Sequence, residues 1–540
     1  MTRWLKFSFA AFLVAIAFGV YWDSLRNPLF FDDENMFERG RIFMLFLEGF
    51  SFSPRWLPYF MMAWTELIFE DAIFFQRSIS LGFHVLTAFV LYAFVKQVSN
   101  HVAPHRNNER AALAVALLFV LHPLAVYAVG YLIQRTILMA TLFGLLALST
   151  YFDGLVTRNK TYFFFSALFY LLSVFSKEHA ILVPAAALAL TPLAAPLKRH
   201  TWRQLWLPVS LYAAIAILVV IRYRGGVLGE VYEPLAAPLV EQHLPIQSPG
   251  QIWGLSVLTQ TALFFKYMGL MLIPNPGWMS IDMRVPIAVS LWEPRYVLGL
   301  CAFLVYGVMA VWLLMQRGRR GLVGFALLAP LLLFAVEFAT VRIQEPFVLY
   351  RSYLWMAPVF LVVPALSNAL PGKIFWPLIL AVALAFAYAS NDRLKSFSDG
   401  YMLWDDAVRK LPDERVLGSA RAHSNRGAWN VRRGALQEAV NDFTRALNVD
   451  PNYKDAYQNR AWAFMKLGDH EAALHDANTM IRLYPQDPRA YTLRGTIYRS
   501  RGDLELAIVD YAHACQQKWT GACLVLEMTR QQQAATRPAQ

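Results

Sequence analysis

Apolar runs of bilayer-spanning length recur along this chain as far as residue 390, and they leave few folds open. A transmembrane helix needs about 20 mostly apolar residues. Candidate runs fall near 5–22, 74–95, 110–130, 134–152, 161–176, 180–196, 204–221, 297–316, 322–338, 347–368 and 374–390, about eleven in all. Hydrophobic residues make up 57% of the chain and charged residues only 16%, the balance of a polytopic membrane protein. The expected fold class is all-α, a polytopic helical membrane domain followed by a soluble one.

The first run follows a basic start, "MTRWLKFSFAAFLVAIAFGVYW", but no small-residue cleavage site follows it, so an uncleaved span is expected. A net charge of +12 would fit a nucleic-acid partner if it were clustered. Instead the cations sit in short connections: Lys96, Arg106 and Arg110; Arg158 and Lys160; Lys198, Arg199 and Arg203; Arg317, Arg319 and Arg320; Lys373. The positive-inside rule then puts the N-terminus in the cytoplasm and the C-terminus outside, with membrane lipids and no nucleic acid as partners. One more apolar stretch, "LTQTALFFKYMGLMLIP" at 258–274, would invert that pattern if it spanned, so a re-entrant or in-plane helix bordering a site is expected there.

After residue 391 the apolar runs stop. Gly434, Gly468 and Gly502 recur at a step of 34, as do Arg426, Arg460 and Arg494, Ala439, Ala473 and Ala507, and Asp442, Asp476 and Asp510. That period marks paired-helix tetratricopeptide repeats, here about three, stacked as an α-solenoid. The expected division is 1–391 for the membrane domain, with outer loops 23–73 and 222–296, and 392–540 for the repeats. A groove of such repeats usually holds a peptide or protein; capping or self-association is the alternative. Segment 222–257, rich in Gly and Pro, reads as a lid, an acceptor cradle or a plain connector. Cys301 reads as a packing residue, and Cys515 with Cys523 as a disulfide if the repeats lie in an oxidising compartment.

Ionisable residues at the outer ends of spans are site candidates, because keeping them at the membrane boundary is costly. This topology brings out Asp32, Asp33 and Glu34; His122, Gln134 and Arg135; Lys177, Glu178 and His179; Glu337, Arg342, Glu345 and Arg351; and Asp282 with Arg284. Acids beside cations suit a base working next to an anion such as a phosphate. Snorkelling to lipid headgroups is the plainer reading of Arg135 or Lys177 taken alone.

Several of these stretches resemble the protein O-mannosyltransferases that carry transmembrane spans and tetratricopeptide repeats. The segments are "LHPLAVYAVGYLIQRTILMATLFGLLALSTYF" (121–152), "SKEHAILVPAAALAL" (176–190), "MLIPNPGWMSIDMRVPI" (271–287) and "FFDDENMF" (30–37). The family's Gly-Arg-Ala-Glu reads Gln134, Arg135, Thr136, Ile137 here, and Pro346 stands where the family tends to have Arg. The resemblance implies a bacterial relative with a GT-C glycosyltransferase fold in the inner membrane and its repeats in the periplasm. Such an enzyme moves a sugar from a polyprenyl-phosphate carrier to a Ser or Thr hydroxyl of a periplasmic or surface protein, a type IV pilin being one example, with inversion. Asp33, slightly favoured, or Asp32 is then the base. Arg135, Lys177, Arg351 and His122 would hold the phosphate, with Glu34, Gln134, Glu178, His179, Asp282 and Glu345 in support. No cofactor is required, and no metal is expected, although Asp32, Asp33 and Asp282 could bind a divalent ion if they converged. The competing readings are a lipid or glycan acceptor, a lipid-carrier transporter, and a non-catalytic periplasmic scaffold.

Overall fold

A computed structural model describes residues 3–38, 40–47, 49, 55–223, 233, 240, 244 and 247–536. The fold is helical, with tetratricopeptide repeats at the C-terminal end. The chain divides into two compact units: Met1–Met283 with Ile287–Asp399, and Gly400–Gln540 with Arg284–Pro286. The change comes at 399 rather than 391 because the helix Gly372–Lys395 runs on past its apolar part.

In the first unit, eight helices among the described residues are long and apolar enough to cross a membrane, or nine if one bent pair counts as a single span. Three expected spans fall short. Lys160–Ser176 and Glu178–Ala194 are only short apolar helical stretches. The run at 347–368 is divided into Leu349–Ser352, Tyr353–Val359 and Val362–Ser367, and it contains Pro358 and Pro364, residues that remove a helix hydrogen bond and crowd the preceding turn. The bent pair, Asn108–Val120 and Pro123–Val129, turns by 45° where Pro123 cannot donate to a continuing helix.

The stretch expected to be re-entrant is one unbroken helix, Pro249–Leu272, which passes the same length and apolarity test. It begins earlier than the apolar run because Ser248 and Gln251 cap it reciprocally. Its polar residues are used internally: Gln260 Nε2 donates to Pro346 O at 2.8 Å, and the Tyr267 hydroxyl accepts from Val348 N at 2.8 Å. Cys301 faces outward from Pro294–Met315 instead of packing inside.

Arg135–Thr157 is the most enclosed long helix. Small residues let a neighbour approach it: a Cβ on Gly154 would lie 2.7 Å from the Phe163 ring, and Ser173 Oγ donates to Ala140 O at 2.6 Å. This tight pairing sets where the segments at the ends of both helices lie, residues 130–135 and 176–179.

In the second unit, the helix pairs Ser419–Arg432/Leu436–Val449, Lys454–Leu467/His470–Leu483 and Pro488–Arg501/Leu504–Gln516 form three repeats, followed by Thr520–Thr536. Gly434, Gly468 and Gly502 take φ values of +81°, +83° and +90° at the turns, a region that L side chains enter at a cost. Each repeated arginine meets the repeated aspartate of its own repeat through two hydrogen bonds, Arg426 with Asp442, Arg460 with Asp476 and Arg494 with Asp510, at 2.6–3.0 Å. Cys515 and Cys523 form a disulfide.

Candidate functional site

The acid pair divides its work. Asp33 is fully buried, and its carboxylate accepts from Leu132 N at 3.1 Å and Ile133 N at 2.8 Å. Burial pushes this carboxyl up to about 7, against the opposing pull of Arg77 and the two amides. Asp32 is exposed; Tyr131 donates to its Oδ2 at 3.1 Å, and its own N–H donates to the Tyr131 hydroxyl at 3.3 Å. Beneath them lies Arg77, 2% exposed, donating to the carbonyls of Asn27 at 3.1 Å and of Pro28 and Gly130 at 2.6 Å.

From Tyr131 an edge-to-face ring contact leads on. The Tyr131 and Tyr350 rings are 6.1 Å apart, and Lys177 Nζ stands 5.7 Å from the Tyr350 ring. Lys177 is buried, with Gln134 Oε1 at 3.5 Å and no carboxylate in ion-pair range among the described residues. Burial, reinforced by the charges of Arg55 and Arg351, pulls this ammonium down to about 7, despite Glu178 and Asp32.

Beside Lys177 the charges are paired. Arg55 grips Glu178 with two bonds, at 2.6 and 3.0 Å. The His179 ring lies 3.4 Å from Glu178 and 3.5 Å from Glu337. Arg342 and Arg351 each approach Glu337 at 3.1 Å, and both also reach Glu233, at 3.2 and 3.5 Å respectively. Arg351 is further engaged by Glu345 at 3.6 Å.

A cavity of about 630 Å³ opens at Asp32, lined also by Asn35, Arg41, Arg55, Trp56 and Ile133. Several expected site residues stand elsewhere. Arg135 is fully buried and donates to Ser80 and Gln76 of a neighbouring helix, while its Nη1 has no partner among the described residues. His122 accepts from Leu124 N at the helix bend and contacts Met271 O at 3.0 Å. Arg351 is committed to carboxylates. Glu34 and Asp282 are half-buried and, like Lys177, Tyr131 and Tyr350, do not line the cavity. Among the described residues no three His, Cys, Asp or Glu side chains converge as a metal site. The proposed lid falls mainly on 224–246, of which only Glu233, Val240 and Leu244 are described.

The sequence reading missed Arg55, Arg77, Tyr131 and Tyr350. Arg77 carried a usable signal: an arginine inside a long apolar run is expensive and therefore partnered. Tyr131 and Tyr350 gave none, since aromatics abound in this chain.

A tetratricopeptide repeat family model matches residues 430–488 and again 458–522. The chain is similar to the DnaJ homolog subfamily C member 7 homolog of Dictyostelium discoideum, 35% identical over 82 residues, 15% of this chain and 15% of that protein. It is also similar to the human DnaJ homolog subfamily C member 7, 30% identical over 99 residues, 17% of this chain and 20% of that protein. Among solved structures, the first tetratricopeptide domain of Spaghetti (RPAP3), bound to an HSP90 peptide, is 26% identical, with 21% of this chain and 95% of that chain covered and a TM-score of 0.21.

Proposed function

We propose that the first unit is a membrane glycosyltransferase of the GT-C class, which takes a sugar from a polyprenyl-phosphate carrier and delivers it to a hydroxyl outside the cytoplasm. The observation that carries this reading is an exposed carboxylate, Asp32, bonded to Tyr131, and a buried ammonium without a carboxylate partner among the described residues, Lys177, beside Tyr350, the two rings being in edge-to-face contact. A sugar bound between them would meet a base on the Tyr131 side and a cation on the Tyr350 side.

In the proposed step the acceptor oxygen attacks the anomeric carbon as Asp32 takes its proton. The bond from the anomeric carbon to the phosphate oxygen breaks, and its electron pair leaves on the phosphate, whose growing charge Lys177 stabilises. The products are the inverted glycoside and polyprenyl phosphate. The geometry moves the preference for the base from Asp33 to Asp32, because both oxygens of Asp33 are occupied by backbone amides.

The acceptor we favour is a protein, held by the repeats. The Cys515–Cys523 bond supports an oxidising compartment for them, and in a bacterium that is the periplasm. Intact-mass spectrometry of envelope proteins tests the whole reading: Asp32→Asn should remove a sugar mass that the wild-type chain adds. An unchanged glycosylation pattern with normal expression sinks the enzyme assignment.

A further inference from the structure

From the bonding around the acid pair we infer that Asp33 and Arg77 are positioning residues, a buried two-sided tie that fixes Asp32 against Tyr131. The inference rests on the glycosyltransferase reading for its catalytic meaning, and on geometry alone for the tie itself.

The bonds fall at particular places. Arg77 takes hold of the carbonyls of Asn27 and Pro28 on one chain segment and of Gly130 on another. Asp33, at the far end of the first segment, takes hold of the amides of Leu132 and Ile133 on the second. Asp32 and Tyr131 are thus each held within the tied stretch, one residue from a tie point. A guanidinium is matched to three convergent carbonyl oxygens, and a carboxylate to two adjacent N–H groups. The bonds of the Arg77 guanidinium, and those of Asp33 when it is ionised, are charge-assisted and roughly twice as strong as neutral ones.

Neither tying side chain lines the cavity, whereas Asp32 does. Both are buried, Asp33 at 0% and Arg77 at 2% exposure, and both oxygens of Asp33 and all three guanidinium nitrogens of Arg77 are engaged by backbone groups, so neither has an atom free for a substrate. Their effect on chemistry passes through the backbone that carries Asp32 and Tyr131. A displacement of about 1 Å in a reacting group can cost on the order of 100-fold in rate, so a loosened tie reaches the reaction without contact.

The test uses the full chain in proteoliposomes with polyprenyl-phosphate-mannose as donor and a periplasmic extract from cells lacking this chain as acceptor. Turnover per folded molecule is read together with hydrogen exchange in peptides covering 130–134. Asp33→Asn should speed exchange there by about tenfold and lower kcat by on the order of 100-fold, with donor KM within about twofold. Tyr131→Phe, which removes one hydroxyl and leaves the tie, should lower kcat by about fivefold at unchanged exchange. It keeps the proposal testable should Asp33→Asn fail to fold: a wild-type rate in Tyr131→Phe overturns it. Loss of turnover in Asp33→Asn at unchanged exchange would make Asp33 a reacting group and also overturn it, as would full turnover despite faster exchange. Asp32→Asn separates the two readings. Retained turnover in that variant, with exchange as in the wild type, ends the assignment of Asp32 as base while the tie still stands on the exchange data.

Discussion

Asp32 and Tyr131 hold each other through two hydrogen bonds: the tyrosine hydroxyl donates to Asp32 Oδ2 at 3.1 Å and accepts from the Asp32 N–H at 3.3 Å. One carboxylate oxygen is thereby fixed, and Oδ1 has no partner among the described residues. If Oδ1 receives the acceptor proton, Asp32→Asn should lower transfer by about 1,000-fold, within the range for a lost general base. Turnover of the lipid-linked donor measures it, and a loss below about tenfold would point to another base.

Lys177 is expected to set an alkaline limit. Its ammonium is held down to about 7 by burial first and by Arg55 and Arg351 after it, and the charged form is the one that stabilises a leaving phosphate. Activity at limiting donor should therefore fall as pH rises through about 7. Lys177→Arg stays charged throughout and should remove that limb, whatever it does to the maximum rate.

The same two groups give stability a pH profile. Asp33 is raised from 3.8 to about 7, so the folded state binds its proton more tightly, and its contribution is lost as pH rises from about 4 to 7. Lys177 is lowered from 10.5 to about 7, so the folded state binds its proton less tightly, and stability is regained as pH rises from about 7 to 10.5. The joint contribution is lowest near pH 7. Melting in detergent should show Asp33→Asn flattening the acid side of this profile and Lys177→Met the alkaline side.

In the repeats, Asp476 is 1% exposed and its partner Arg460 15% exposed at the side chain. Removing the arginine strands a buried carboxylate, so Arg460→Met should cost about 3 kcal/mol. Urea-dependent proteolysis of the full chain, followed in peptides from 454–516, reads the shift. An effect as small as that of an exposed pair, below about 1 kcal/mol, would contradict the buried-pair geometry.

The disulfide makes a compartment prediction. A chain trapped with a membrane-permeant alkylating reagent during lysis should carry no label at Cys515 or Cys523 until it is reduced. Label on both before reduction would place the repeats among reduced thiols and remove one support for a periplasmic acceptor.

The helical class and the repeat register were legible because both are periodic signals in residue type. Every apolar run became helix, but its continuity depended on local features: Pro358 and Pro364 in one run, and the bend at Pro123 in another. Ser248 and Gln251, polar and outside the apolar run, start the helix that was expected to be re-entrant. At the candidate site, the sequence singled out the acidic loop and Lys177 and favoured Asp33 over Asp32, the order that the bonding reverses in the proposed mechanism. Their ranking depends on which carboxylate the distant Leu132 and Ile133 amides occupy. The partners of Arg135 were illegible for a similar reason, since Gln76 and Ser80 lie on another helix. The recurring arginines and aspartates were visible as two separate series, and only the fold joins them into pairs.

Those pairs also have a direction. Beyond its own aspartate, Arg460 extends Nη1 back to Thr444 of the repeat before it at 2.9 Å, and Arg494 does the same to Asn478 at 2.8 Å. The next place in that series, 34 residues on, is Ala512, whose methyl group accepts nothing. The helix that follows, Thr520–Thr536, is joined to the third repeat by a different pair, Arg499 Nε donating to Gln532 Oε1 at 3.2 Å. The backward reach of the arginine therefore locks each repeat to the one before it, so that a strained repeat is held by its neighbour as well as by its own aspartate.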